Sequence, residues 1–179
     1  MTAWTKSPST PAGMLNREPR NTMMQPRKTC SRTSPEHSAT PMASEQHHLT
    51  ITTRGRGSMD ISSAIANIVA VATVDTGIAY IFVGHTSCGL GITENADPSV
   101  RGDLETLLQR WAPDGDPAYR HDLEGDDDMA AHARALLTGT ALSVPFAKGR
   151  LLLGTWQGIF LFEHRAQGHR REIVVTLLG

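Results

Sequence analysis

The sequence predicts an α+β domain, an antiparallel β-sandwich with helices flanking it. Short runs of β-branched and aromatic residues cut by glycines fill the C-terminal half, and three stretches with helical apolar spacing lie ahead of them. Strands and helices also fail to alternate in the regular βαβ order that a Rossmann sheet or TIM barrel requires. At 179 residues and 39% hydrophobic content the chain can build one core, so one domain plus a tail is the simplest organisation.

The elements follow from residues 45 onward. Leu49 and Ile51 alternate with polar neighbours between His48 and Thr53, which reads as a half-buried strand, and Arg54 to Ser58 supplies a glycine-rich turn. Asp60 is placed to cap a helix whose buried face is Ile61, Ile65, Ile68, Val69 and Ala72, with Gly77 beyond its end. Ile78 to Val83 reads as a buried strand delivering the polar cluster His85, Thr86, Ser87 and Cys88, and a further apolar strand precedes Glu94 and Asn95. Asp97-Pro98 opens a second helix with the stripe Val100, Leu104, Leu107, Leu108 and Trp111, stopped by Pro113. A third helix is predicted over Asp127 to Leu137, where acids sit at the first turn and Met129, His132, Leu136 and Leu137 share a face. Strands then follow at Ala141 to Phe146, Leu151 to Leu153, Ile159 to His164 and Glu172 to Leu178, separated by Lys148-Gly149, Gly154, Gly158 and Gly168.

Residues 1–44 are crowded with Pro, Ser, Thr, Arg and Lys and cannot bury enough apolar surface to offset chain entropy, so a disordered basic tail is expected. Arg17, Arg20, Arg27, Lys28 and Arg32 fit an organelle address or a nucleic-acid arm less well than a solvated tail, because interleaved prolines spoil an amphipathic helix. Met42 directly precedes the first strand, which makes it a candidate start of translation. A formal charge of -1 gives no general attraction to nucleic acid or membrane. The apolar run Ala64 to Val74 is too short for a bilayer span, and Cys30 and Cys88 lie in contexts too different for a disulfide framework. A cytoplasmic protein without nucleic-acid or membrane partners is expected.

The candidate chemistry lies in histidines and acids. His85, His121, His132 and His164 each sit at an element end or on an inward face, and imidazoles that converge with an open fourth position suit zinc or a similar ion, although any one alone is more often a hydrogen-bonded core residue. Asp122, Glu124, Asp126, Asp127 and Asp128 are candidates for a hard cation such as magnesium or for helix capping. Glu94 and Asn95 offer an acid–base group and a hydrogen-bond donor, or simple loop solvation. Cys88 near His85 is either a thiolate nucleophile or a small buried hydrophobe. In Gly154-Thr155-Trp156-Gln157-Gly158 the indole either lines a cleft or packs into the core, and Arg165, Arg170 and Arg171 either hold a phosphate or sit exposed at a hairpin.

Taken in order, HTSCGLGITENADPSVRGDLE, YRHDLEGDDDMAAHARALLTG, KGRLLLGTWQGIFLFEHR and REIVVTLLG resemble the successive signature segments of the YjbQ family, over roughly Gln46 to Gly179. The resemblance implies a compact, jelly-roll-like β-sandwich with peripheral helices over residues 45–179, associating as a homotrimer. Its recurring polar positions map onto His85, Ser87, Asn95, Asp103, His121, Asp122, Asp128, His132, Trp156, Gln157, Glu163, His164 and Arg165. Gly91 and Thr93 depart from it, standing where Thr and Asn are expected in HTSxxLTINEN. Family members are linked to thiamine-phosphate synthase activity, in which a hydroxymethylpyrimidine diphosphate joins a thiazole phosphate and pyrophosphate leaves. The expected site has His85, Glu94, Asn95, His121, Glu163 and His164 as catalytic groups, and Ser87, Trp156, Gln157 and Arg165 holding a small-molecule substrate. His121, His132 and His164 are the expected ligands of a divalent metal, zinc or magnesium. Dedicated thiamine-phosphate synthases are βα barrels, an alternation this chain lacks, which leaves side-chemistry, a metal-dependent hydrolase and a non-catalytic trimeric binding protein as the other readings.

Overall fold

The computed structural model describes residues 43–179; the expected tail up to Met42, with Cys30 and the candidate start, lies outside the described residues. Among the described residues the strands are β1 Ser44–Thr52, β2 Gly57–Asp60, β3 Thr76–Val83, β4 Cys88–Glu94, β5 Ala141–Ala147, β6 Arg150–Leu151, β7 Gln157–Glu163 and β8 Arg170–Leu178. The helices are α1 Ser62–Ala70, α2 Pro98–Trp111 and α3 Asp128–Thr138. One sheet has the order β1-β8-β3-β5-β6 and the other β2-β7-β4, with every pairing antiparallel, so the α+β class is as the sequence predicts. Among the described residues no helix is long and apolar enough to cross a membrane.

The core draws on both sheets. Ala79, Ile81 and Val83 of β3 and Ile173, Val175 and Leu177 of β8 meet Leu90 of β4, Ile159 and Leu161 of β7, and Ile65 and Val69 of α1. Period-2 alternation explains these strands, since one face of β3 and β8 is buried throughout and the other is not. β7 differs because both its faces are covered: Ile159 and Leu161 enter the main core, while Phe160 and Phe162 pack with Leu108 of α2. A Cβ at Gly91 would stand 2.8 Å from Cε2 of Phe162, so the glycine found where the family pattern expects Thr makes room for that ring.

Several sequence expectations need correction. Part of the expected Arg54–Ser58 turn is strand, because Gly57 and Ser58 already pair with Glu163 and Phe162. Asp60 does accept a hydrogen bond from Ser62 N at 2.8 Å, although Ile61 occupies the N-cap position itself. Asp97 caps α2 as expected through Ser99 N, yet Trp111 at its far end is exposed rather than packed. The apolar face of α3 is reversed. Leu136 is 86% exposed and Leu137 is exposed, while Ala130, Ala131, Ala135, Asp128 and Arg134 face inward. The cause is close approach: a Cβ on Gly89 of β4 would lie 1.9 Å from Thr138 Oγ1, so the helix meets the sheet where only small side chains fit.

Candidate metal centre

The first turn of α3 places Asp128 and His132 one helical turn apart on the same face, and the loop before it brings His121 over them. One ligand atom from each of the three lies within 4.8 Å of the others. Asp128 is only 2% exposed, and its Oδ2 stands 2.8 Å from His121 Nε2 and 3.4 Å from His132 Nε2 without making a hydrogen bond to either. His132 Nδ1 lies 2.9 Å from the carbonyl oxygen of Thr86, an acceptor, so Nδ1 carries the hydrogen and Nε2 is left with its lone pair facing Asp128. Asp128 is aimed in the same way: its Oδ1 accepts from Arg165 Nη1, leaving Oδ2 for the imidazoles. Oriented ligands with their second atoms anchored on carbonyl or charge are the usual construction of a metal site.

Two hollows meet at this cluster. A groove of about 580 Å³ lies on the His132 side, walled by Met129, Ala133 and Leu136 with His85 and Thr86 at its rim. A smaller polar hollow of about 240 Å³ on the His121 side is lined by Tyr119, Asp122 and Asp126.

A family model described as "UPF0047 protein YjbQ-like" matches residues 47–179. A UPF0047 protein of Synechocystis sp. is 44% identical over 142 residues, covering 79% of this chain and 97% of the relative. The UPF0047 protein YjbQ of Escherichia coli O157:H7 is 42% identical over 135 residues, covering 75% and 97%. The chain belongs to the YjbQ family. Among solved structures, a conserved hypothetical protein of Thermus thermophilus matches with TM-score 0.64 at 40% identity, covering 72% of this chain and 97% of that one. A YbjQ-like protein of unknown function from Sulfolobus solfataricus matches with TM-score 0.70 at 26% identity, covering 78% and 99%.

In this YjbQ-family chain the expected site residues do not form one pocket. The β4–β7 register pairs Cys88 with Glu163 and Glu94 with Gln157, which separates the two ends of the ladder by roughly 20 Å. At the far end Glu94 Oε1 accepts from Asp97 N at 2.9 Å, Asn95 Nδ2 donates to Gln157 O at 3.3 Å, and Gln157 Oε1 accepts from Gly154 N at 2.8 Å. These three build turns, and Trp156 beside them is exposed.

At the near end Glu163 and His164 are buried and stand outside the His121–Asp128–His132 group. Glu163 takes hydrogen bonds from Arg171 Nε at 2.7 Å and Nη2 at 2.5 Å, from Thr53 Oγ1 at 2.8 Å and from Arg165 N at 3.0 Å. Burial alone would raise its pKa, but these donors outweigh it and hold the carboxyl below its usual range. His164 is fully buried with Nε2 3.1 Å from Thr138 Oγ1; burial first, then the charge of Arg134, lowers its pKa to about 4. Of the expected metal set, His121 and His132 come together with Asp128, and His164 lies outside that group with Nε2 on Thr138. Ser87 Oγ accepts from Arg171 Nη2 at 3.1 Å.

Electrostatics decides against the thiolate reading of Cys88, leaving that of a small buried hydrophobe, and against a phosphate role for two of the arginines. Burial pushes the Cys88 thiol up to about 11, which keeps it protonated and unsuited to nucleophilic attack. Arg165 and Arg171 are held by Asp127 and Asp128 and by Glu163, so neither guanidinium is left for a phosphate. Sequence reasoning gives too little weight to Asp128, one of five acids suited to a hard cation or to helix capping. The signal was present in its four-residue spacing from His132, which puts a carboxylate and an imidazole on one helical face.

Proposed function

We propose that His121, Asp128 and His132 hold a divalent cation and that the chain is a metal-dependent enzyme acting on a small molecule bound beside it. The observation carrying this reading is Asp128 Oδ2, an oxygen of a buried carboxylate left without a hydrogen bond and facing two imidazole nitrogens. Two nitrogens and one oxygen suit zinc; magnesium, which prefers oxygen donors and water, suits the set less well. His121, Asp128 and His132 would hold the ion through three ligands, and zinc held so would supply an activated water at neutral pH. Hydrolysis is accordingly the reaction class favoured.

Thiamine-phosphate synthesis is the second reading. The groove of about 580 Å³ beside His132 favours it, having room and apolar walls for a pyrimidine ring, while a cation would stabilise departing pyrophosphate. Against it, the guanidinium groups expected to meet a diphosphate, Arg165 and Arg171, are committed to carboxylates. The finer architecture is part of the same proposal: the two sheets as layers of a jelly-roll-like sandwich, assembled as a homotrimer in the cytoplasm, without nucleic-acid or membrane partners. A core drawn from both sheets supports the first, and exposed Ile78, Tyr80 and Phe82 on β3 support an interface between copies.

The test begins with metal. Chelator-treated protein titrated with zinc and with magnesium should take up one zinc per chain more tightly than magnesium, and a His121→Ala/His132→Ala double variant should lose that uptake. Equal uptake by the double variant would discard the centre. The zinc-loaded protein assayed with simple esters and phosphoesters, and separately with both thiamine precursors, then separates hydrolase from transferase. Zinc uptake without turnover of either class would favour a binding protein.

A further inference from the structure

The groove against His132 differs in chemistry from the polar hollow on the other side of the cluster. Among the described residues no Lys, Arg, Asp or Glu side chain lines it, and Met129, Ala133 and Leu136 form its wall. A phosphate seated there would lose its water and gain no cation from this wall. At its rim His85 has a fixed tautomer. Its Nε2 accepts a hydrogen bond from the backbone N–H of Glu172 at 2.9 Å, so the neutral ring carries its hydrogen on Nδ1. Burial, with the charge of Arg171 next, lowers the pKa of the ring and favours that neutral form. Nδ1 has no hydrogen-bond partner among the described residues, so it is the ring atom free to meet a ligand.

We propose that this groove selects a substrate that is uncharged and apolar over the part seated on α3 and that offers an oxygen acceptor, such as a carbonyl, to the Nδ1–H of His85. The inference rests on the metal reading, because the cluster at the groove's edge is what gives a seated carbonyl compound something to react with. Of the expected catalytic groups, His85 then acts as a fixed hydrogen-bond donor and not as a proton carrier. Neutral histidine used in this way polarises a carbonyl without itself changing charge.

Zinc-loaded protein titrated with benzohydroxamate and acetohydroxamate tests the groove, since the two share a metal-binding head and differ only in the apolar body. Benzohydroxamate should bind about tenfold more tightly or better. The ratio should fall toward unity in an Ala133→Ser/Leu136→Ser double variant. His85→Asn, whose side-chain amide N–H stands near the place of Nδ1, should keep affinity within about threefold, whereas His85→Leu should lose about tenfold. Nitrogen NMR of the histidine rings should find His85 protonated on Nδ1. Zinc uptake measured on the same samples distinguishes the two failures. No uptake would overturn both readings; uptake with equal affinity for the two hydroxamates, or a His85 ring protonated on Nε2, would overturn this one alone.

Discussion

Asp128 and Glu163 are both buried carboxylates gripped by an arginine, at 2% and 1% exposure, yet they have opposite chemical prospects. Glu163 is saturated: Arg171, Thr53 and the Arg165 backbone between them use both of its oxygens. Asp128 gives Oδ1 to Arg165 and keeps Oδ2 without a hydrogen bond, facing two imidazoles. Burial and an ion pair are thus common to a structural brace and a candidate ligand. What separates them is whether an oxygen remains after the brace has been built.

The sharpest way to break this comparison is to remove one partner from each. Arg171→Ala strands a buried carboxylate and should cost about 3–5 kcal/mol of unfolding free energy. Asp128→Asn should cost far less stability, because His121 and the end of the α3 turn reach solvent, while zinc affinity falls by about a hundredfold or more. Urea unfolding and zinc titration on both variants decide it. If Asp128→Asn unfolded the protein as Arg171→Ala does, both carboxylates would be braces and the metal reading would lose its basis.

Much of this division was legible in the sequence, and the illegible part has a physical cause. β3, β7 and β8 follow from runs of β-branched and aromatic residues cut by glycines, and α2 follows from Asp97-Pro98 and Leu108. The inner face of α3 did not, because Leu136 and Leu137 outweigh alanines in any apolar count, and only the approach of Gly89 to Thr138 reveals that the small side is the packed one. Site residues were recognised by type, but type does not say which end of the β4–β7 ladder a residue occupies. Glu94 and Glu163 read alike as acids, and register alone sends them to opposite ends.

His164 extends the contrast to pH. The unfolded chain binds a proton near 6.5 that the folded chain refuses until about 4, so this contribution to stability is fully present above 6.5 and is lost as pH falls through that window. The loss should be on the order of 3 kcal/mol. Glu163, whose pKa is also lowered, adds loss of the same sign at more acid pH. Urea midpoints followed from pH 7 to 4 should slope downward in the parent protein and flatten in His164→Gln. An unchanged slope would mean that the ring titrates normally and is not sealed from solvent.

The smallest predicted effect tests how Asp128 is aimed. Arg165 reaches Asp127 Oδ2 through Nε at 3.1 Å, Asp128 Oδ1 through Nη1, and the Glu124 carbonyl through Nη2 at 2.9 Å, so one planar fork spans three acceptors. A lysine keeps the charge but presents a single ammonium, which cannot fix the carboxylate plane and the preceding loop together. Arg165→Lys should therefore leave unfolding free energy within about 1 kcal/mol, since the exposed pairing with Glu124 contributes little, yet weaken zinc by about tenfold. Because charge is conserved, that loss reads orientation rather than electrostatics, and Arg165→Gln, which removes the charge as well, should weaken zinc further. Equal affinities for the parent and Arg165→Lys would mean that Asp128 Oδ2 is turned toward the imidazoles by the helix backbone alone.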